Sequence, residues 1–168
     1  MTIPFDVNDA ELRDAFLRNH LWEAIAILRE DAAPRWGRMT AREMVEHLSW
    51  VFEVSTGRAS VECPVPEAKR ERYKAFLYDN TPMTREFRNP ALTAGLPPLR
   101  HADLDQAKAT LRKDVDRFLE CCRDTPEATH VHPVFGPIAM EEWSRSHFKH
   151  AYHHLLQFDL VDGGPLIP

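Results

Sequence analysis

The chain lacks most of what would tie it to a membrane, a nucleic acid or an oxidising compartment. No apolar run approaches the roughly 18 residues of a membrane-spanning helix. The opening MTIPFDVNDAEL has neither the basic nor the apolar region of a secretory signal, so the cytoplasm is the expected location. Positive charge is in deficit: 21 Lys and Arg stand against 26 Asp and Glu, a formal net charge of −5. That balance argues against nucleic acid, whose binding rests on cations at phosphates, and against an anionic membrane surface. Cysteine is scarce, and Cys63, Cys121 and Cys122 form an odd, clustered set with no disulfide framework. No basic group stands beside the adjacent pair to lower a thiol pKa, so no redox role is expected. Repeats, low-complexity tracts and linkers are absent, and 168 residues suit a single domain covering the whole chain. A strand pattern is missing too, since the β-branched clusters are short and interrupted by proline.

What remains is helical periodicity. A first helix is predicted over about 9–31, with Asn8 and Glu11 as a capping box and Pro34 as its stop; a break near Asn19 stays open. A second runs from the Thr40/Glu43 capping box to Gly57, with Met44, Leu48, Val51 and Phe52 on one face and Glu46, Ser49 and Glu53 opposite. A third covers about 103–122 behind Asp103, with Leu104, Leu111 and Phe118 repeating every seven residues. Cys122 falls on its buried stripe. The fourth covers about 140–161, closed by Gly163, Gly164 and Pro165. Between the second and third lie some 45 residues with six prolines and one short amphipathic piece, PEAKRERYKAFLYDN. Connections that long cross over a bundle or cover a site. The expected fold is therefore all-α: a four-helix bundle with a long crossover between helices two and three.

The segment KHAYHHLLQF, 149–158, concentrates histidine on the fourth helix. Metal binding by a helix needs imidazoles three or four residues apart, on one face and one turn apart. His150 and His154 have the i, i+4 spacing, and His147 with His150 offers an i, i+3 alternative. His147 and His154 are two turns apart, about 10 Å along the axis, so His150 belongs to both pairings. The wheel places His153 on the solvent side with Lys149, Arg145 and Ser146. On the second helix His47 falls between Val51 and Val54, either a core histidine or a third ligand. His20 and His101 have no partner in register and read as surface. His130 and His132 sit in a loop before the fourth helix, with His132 a candidate for the site mouth. Gln157, close in azimuth to His150, is a candidate for orienting a ligand or substrate, as is His147. Glu43, one turn before His47, is within reach of its ring. Trp36, Trp50 and Trp143 line either a pocket or the core.

Together, WGRMTAREMVEHL (36–48), HPVFGPIAMEEW (132–143) and KHAYHHLLQF (149–158) resemble the DinB-like superfamily, in a branch of unknown function. Phe5–Asp6 and DNTPM (79–83) add to a likeness that spans nearly the whole chain. The resemblance implies the four-helix bundle and a divalent ion held by His47, His150 and His154. Zinc or nickel fits that set best, with iron acceptable. Relatives in the wider superfamily include thiol transferases using bacillithiol or mycothiol and a mycothiol-dependent isomerase. The implied partner is a small-molecule substrate, a low-molecular-weight thiol among them, and the implied assembly a homodimer. Ala139 departs from the pattern, because relatives carry Ser, Thr or Pro there; His147 is not a motif position. Two functions stand: a metal-dependent small-group transferase, and a non-catalytic metal- or ligand-binding bundle.

Overall fold

The computed structural model describes residues 2–85, 87, 89, 92 and 95–162. Its chain order is α1 (Ala10–Ala15), a π-helical segment (Phe16–His20), α2 (Leu21–Ala26), α3 (Ala41–Ser55), α4 (Glu67–Lys74), a 3-10 turn (Ala75–Leu77), α5 (Leu104–Asp124), β1 (Thr129–His132), β2 (Gly136–Ala139) and α6 (Met140–Gln157). The chain is mostly helical, with one small two-stranded sheet.

Local chemistry explains most boundaries. Thr40 and Glu43 form the expected capping box: Thr40 Oγ1 accepts from the Glu43 amide at 3.2 Å, and Glu43 Oε2 from the Thr40 amide at 2.7 Å. Gly57, at φ 73°, lets the chain leave α3. Asp103 caps α5 by accepting from the Gln106 amide at 2.8 Å. The cap of α1 is Asp9, which accepts from Leu12 at 2.9 Å, one residue after the expected Asn8. The Asn8 side chain instead donates from Nδ2 to the Tyr78 carbonyl at 2.9 Å. The rod continues past Asn19, but as a π segment in which the Leu21 N–H returns to the Phe16 carbonyl. It ends at Ala26, ahead of the expected 31 and well short of Pro34. With no side-chain oxygen on Ala139, α6 starts on Glu142, whose Oε2 accepts from the Ala139 amide at 3.2 Å. It stops at Gln157, earlier than expected, because Asp159 turns left-handed at φ 57°. Gly163, Gly164 and Pro165 lie outside the described residues.

The absence of strands is corrected by the β1–β2 hairpin, which pairs His132 with Gly136 and Val131 with Pro137. In a two-stranded ribbon both strands are edges, so a proline whose nitrogen faces outward costs no ladder bond. His132 stabilises the turn: its Nδ1 accepts from the Val134 amide at 3.1 Å and the Phe135 amide at 3.4 Å.

α6 runs through the middle of the fold, packing on the α1–α2 rod, α3 and α5. Trp143, Phe148 and Leu155 join Phe16, Phe52, Leu48, Leu111 and Phe118 in one core. Both ends of the crossover are tied down. Lys149, expected on the solvent side, is 1% exposed. Its ammonium donates to the Phe76 carbonyl and, at 2.9 Å, to the Thr81 carbonyl, with Asp79 at 3.3 Å. The crossover covers α6 there, so the Lys149 side chain does not reach solvent. At the other end the Glu46 carboxylate, buried rather than on an outer face, accepts from the Arg100 and His101 amides at 2.7 and 3.0 Å. Ser49 donates to the buried Asp114 of α5, and Arg58 pairs with the same carboxylate. All three cysteines are free, and burial pushes the Cys122 thiol up to about 12, which makes it unreactive. No helix among the described residues is long and apolar enough to cross a membrane.

Candidate metal centre

The second and fourth predicted helices, α3 and α6, face each other, and His47 meets His150 and His154 between them. His47 Nε2 lies 2.9 Å from His150 Nε2, and His154 Nε2 lies 3.0 Å from the same atom. One nitrogen from each ring lies within 4.8 Å of the other two, making this a group that could hold a metal ion. The rings are near perpendicular, at 84°, 76° and 79°, so they fan around a common point. Bonds of about 2.0–2.1 Å would put paired donors roughly 3.4 Å apart in a tetrahedral site, within a few tenths of an ångström of the two short separations here.

Proton bookkeeping shows why a cation suits this centre. Burial pushes His47 down to about 4, and burial plus neighbouring imidazoles push His150 and His154 well below the usual histidine range. All three rings are therefore neutral near pH 7, the form a metal requires. Gln157 favours one tautomer of His154. Its Nε2 donates to the Trp36 carbonyl at 3.0 Å, which can only accept, so its Oε1 faces His154 Nδ1 at 2.7 Å. His154 thus carries its proton on Nδ1 and turns a lone pair inward. His150 holds one proton at most at Nε2 and can satisfy one inward neighbour well. His47 Nδ1 is buried without a partner among the described residues, so moving its proton to either nitrogen leaves a conflict. A cation meeting three inward lone pairs removes the competition at the centre.

Of the other candidates, His147 and His132 are not brought to this point. The His147 ring stacks 3.7 Å from Phe52, and its Nε2 bonds Ser55 Oγ at 2.8 Å; it is a core residue with a satisfied partner. His132 belongs to the hairpin turn and packs on Phe135 and Trp143. His153 is not on a free surface: half-buried, it packs edge-on against Trp36 at 5.5 Å and is hydrogen-bonded to the Met83 backbone. His101, read as unpartnered, contacts Thr110 Oγ1 at 2.9 Å and pairs with Glu46. Glu43 spends its carboxylate on the α3 cap and is not the residue that orients His47. Trp143 is core, Trp50 stacks on His47 with ring centroids 6.2 Å apart, and Trp36 is half-buried.

The link from Gln157 to residues 35–37 was not anticipated. The Arg35 amide donates to the Gln157 carbonyl at 2.7 Å. Gly37, at φ 78°, sits so close that a Cβ there would lie 3.1 Å from Gln157 Nε2. The glycine after Trp36 was the one available signal. Two clefts stand out among the described residues. One is lined by Leu28, Glu30, Asp103 and their neighbours; the other, beside the triad, is a narrow crevice between Trp36, Met83, Arg85 and His153. None of the three converging imidazoles lines either.

No curated protein and no solved structure matches the chain. A sequence profile described as the DinB superfamily matches residues 16–158, a span that contains α3, α6 and all three converging histidines. The chain belongs to the DinB superfamily.

Proposed function

We propose that His47, His150 and His154 hold one divalent cation, zinc or nickel with iron also acceptable, in an enzyme that transfers a small group using a low-molecular-weight thiol. The observation that carries this reading is the meeting of three neutral imidazole nitrogens whose protons no arrangement satisfies. Held by these three rings, a cation would supply Lewis acidity, the chemistry that lowers the pKa of a thiol. The buried rings of His47 and His154 shield the centre, and His150 is its most exposed member. Gln157 keeps the proton of His154 on Nδ1. No carboxylate joins the cluster among the described residues, so the site brings no general base of its own. That favours a thiol, whose own pKa lies nearer neutrality, over water as the group such a cation would activate. The same reading takes the α1–α2 rod, α3, α5 and α6 as a four-helix bundle, working as a cytoplasmic homodimer without nucleic acid or membrane.

A second reading, a non-catalytic metal- or ligand-binding module, draws support from the two clefts, neither lined by the triad. The test is elemental analysis of tag-free protein and of His150→Ala, followed by turnover assays with small thiols. One ion per chain in the wild type, lost in the variant, with thiol-dependent turnover is the expected result. Metal without turnover favours the second reading, and no stoichiometric metal after loading refutes the enzyme reading.

A further inference from the structure

We propose that Gln157 relays occupancy of the triad to the Trp36 segment, making residues 35–37 a strap that a bound cation fastens. The inference rests on the metal reading above and adds a coupling to it.

The relay follows from tautomers. A cation on His154 Nε2 demands the lone pair there, which leaves the proton on Nδ1. That proton suits Gln157 Oε1 at 2.7 Å, and the amide then presents Nε2 to the Trp36 carbonyl at 3.0 Å. With the centre empty, the Nδ1-protonated ring leaves its inward lone pair facing His150 Nε2 at 3.0 Å, and a proton on Nε2 relieves that clash. Nδ1 then turns a lone pair on Gln157 Oε1, and two acceptors repel at that distance. If the amide rotates to relieve this, its oxygen faces the Trp36 carbonyl and the repulsion moves there. One of the two bonds fails in either case.

The strap has little else on the α6 side. Its other ties are the Arg35 amide on the Gln157 carbonyl, an exposed Arg35–Asp159 ion pair at 3.2 Å and the edge-on packing of Trp36 on His153. Gly37, at φ 78°, leaves room for the Gln157 amide, which would lie 3.1 Å from a Cβ there. What the strap carries is consequential: Trp36 forms one wall of the crevice beside the triad, against His153, with the Arg85 guanidinium 4.7 Å over the indole. Releasing the strap therefore frees the Trp36 wall of that crevice, and fastening it holds the wall in place.

The test is hydrogen–deuterium exchange of the full chain with and without zinc, on wild type, Gln157→Glu and Gln157→Leu, with bound zinc measured in parallel. α5 amides serve as the reference for global stabilisation. In the wild type zinc slows exchange over residues 35–38 by about tenfold beyond any change in α5. Gln157→Glu still accepts from His154 Nδ1 but cannot donate to Trp36; it binds zinc and loses the extra protection. Gln157→Leu loses that protection and binds zinc more weakly. Protection retained in Gln157→Glu, or wild-type protein that binds one zinc with no change at 35–38, overturns the proposal. Failure of zinc to bind at all shows in the stoichiometry, and overturns the metal reading together with the relay.

Discussion

Replacing Gly37 with alanine tests whether a residue that touches no metal ligand still sets metal affinity. Gly37 holds φ 78°, and a Cβ there would stand 3.1 Å from Gln157 Nε2. The left-handed backbone costs an alanine about 1–2 kcal/mol. The contact adds a second loss: the amide must shift, and the bond from Gln157 to the Trp36 carbonyl, worth roughly 1 kcal/mol, weakens. Because the same amide orients His154, zinc affinity should fall by about 10–100-fold, the usual effect of removing a partner behind a ligating histidine. Gly95→Ala is the control, since Gly95 also has a positive φ, 96°, but a Cβ there meets nothing within 4 Å. Urea unfolding and competitive zinc titration of both variants separate the two effects. Each should lose stability, and Gly37→Ala alone should lose zinc affinity. Equal zinc affinity in the two variants would refute the argument that Gln157 positions His154.

Two further outcomes follow from buried charge and buried histidine. Burial holds His132 down at about 3 and His147 well below the usual range, so both stay neutral in the fold while unfolded chains take up protons below about pH 6.5. The metal-free protein should be fully stable above that pH and lose stability steadily as pH falls toward 4; a urea midpoint flat between pH 7.5 and 4.5 would contradict this. Lys149→Met keeps the stem but strands the carbonyls of Phe76 and Thr81, and should cost about 2–3 kcal/mol in urea unfolding; an unchanged or higher stability would show that the buried ammonium does not hold the crossover.

Short-range chemistry was legible in the sequence. Thr40 with Glu43, Asp103 with its helix, and the i, i+4 pair of histidines each carry their signal within one turn. So did the buried azimuth of His47, and the family resemblance pointed to the same three residues. What the sequence concealed depends on distant partners. Lys149 reads as a surface lysine until the crossover supplies its carbonyls, and Glu46 reads as solvated until the backbone of Arg100 and His101 arrives. The hairpin was missed because Pro133 and Pro137 look like strand breakers, although a two-stranded ribbon tolerates them. The early end of α6 turns on Asp159 adopting a left-handed conformation that glycine more often supplies.

The central claim is that three imidazoles share one ion. Anomalous scattering from crystals of zinc-loaded protein, collected either side of the zinc edge, tests it most directly. The expected result is a single strong peak about 2.0–2.1 Å from Nε2 of His47, His150 and His154. A peak elsewhere, or three rings with no scatterer between them under saturating zinc, would contradict it.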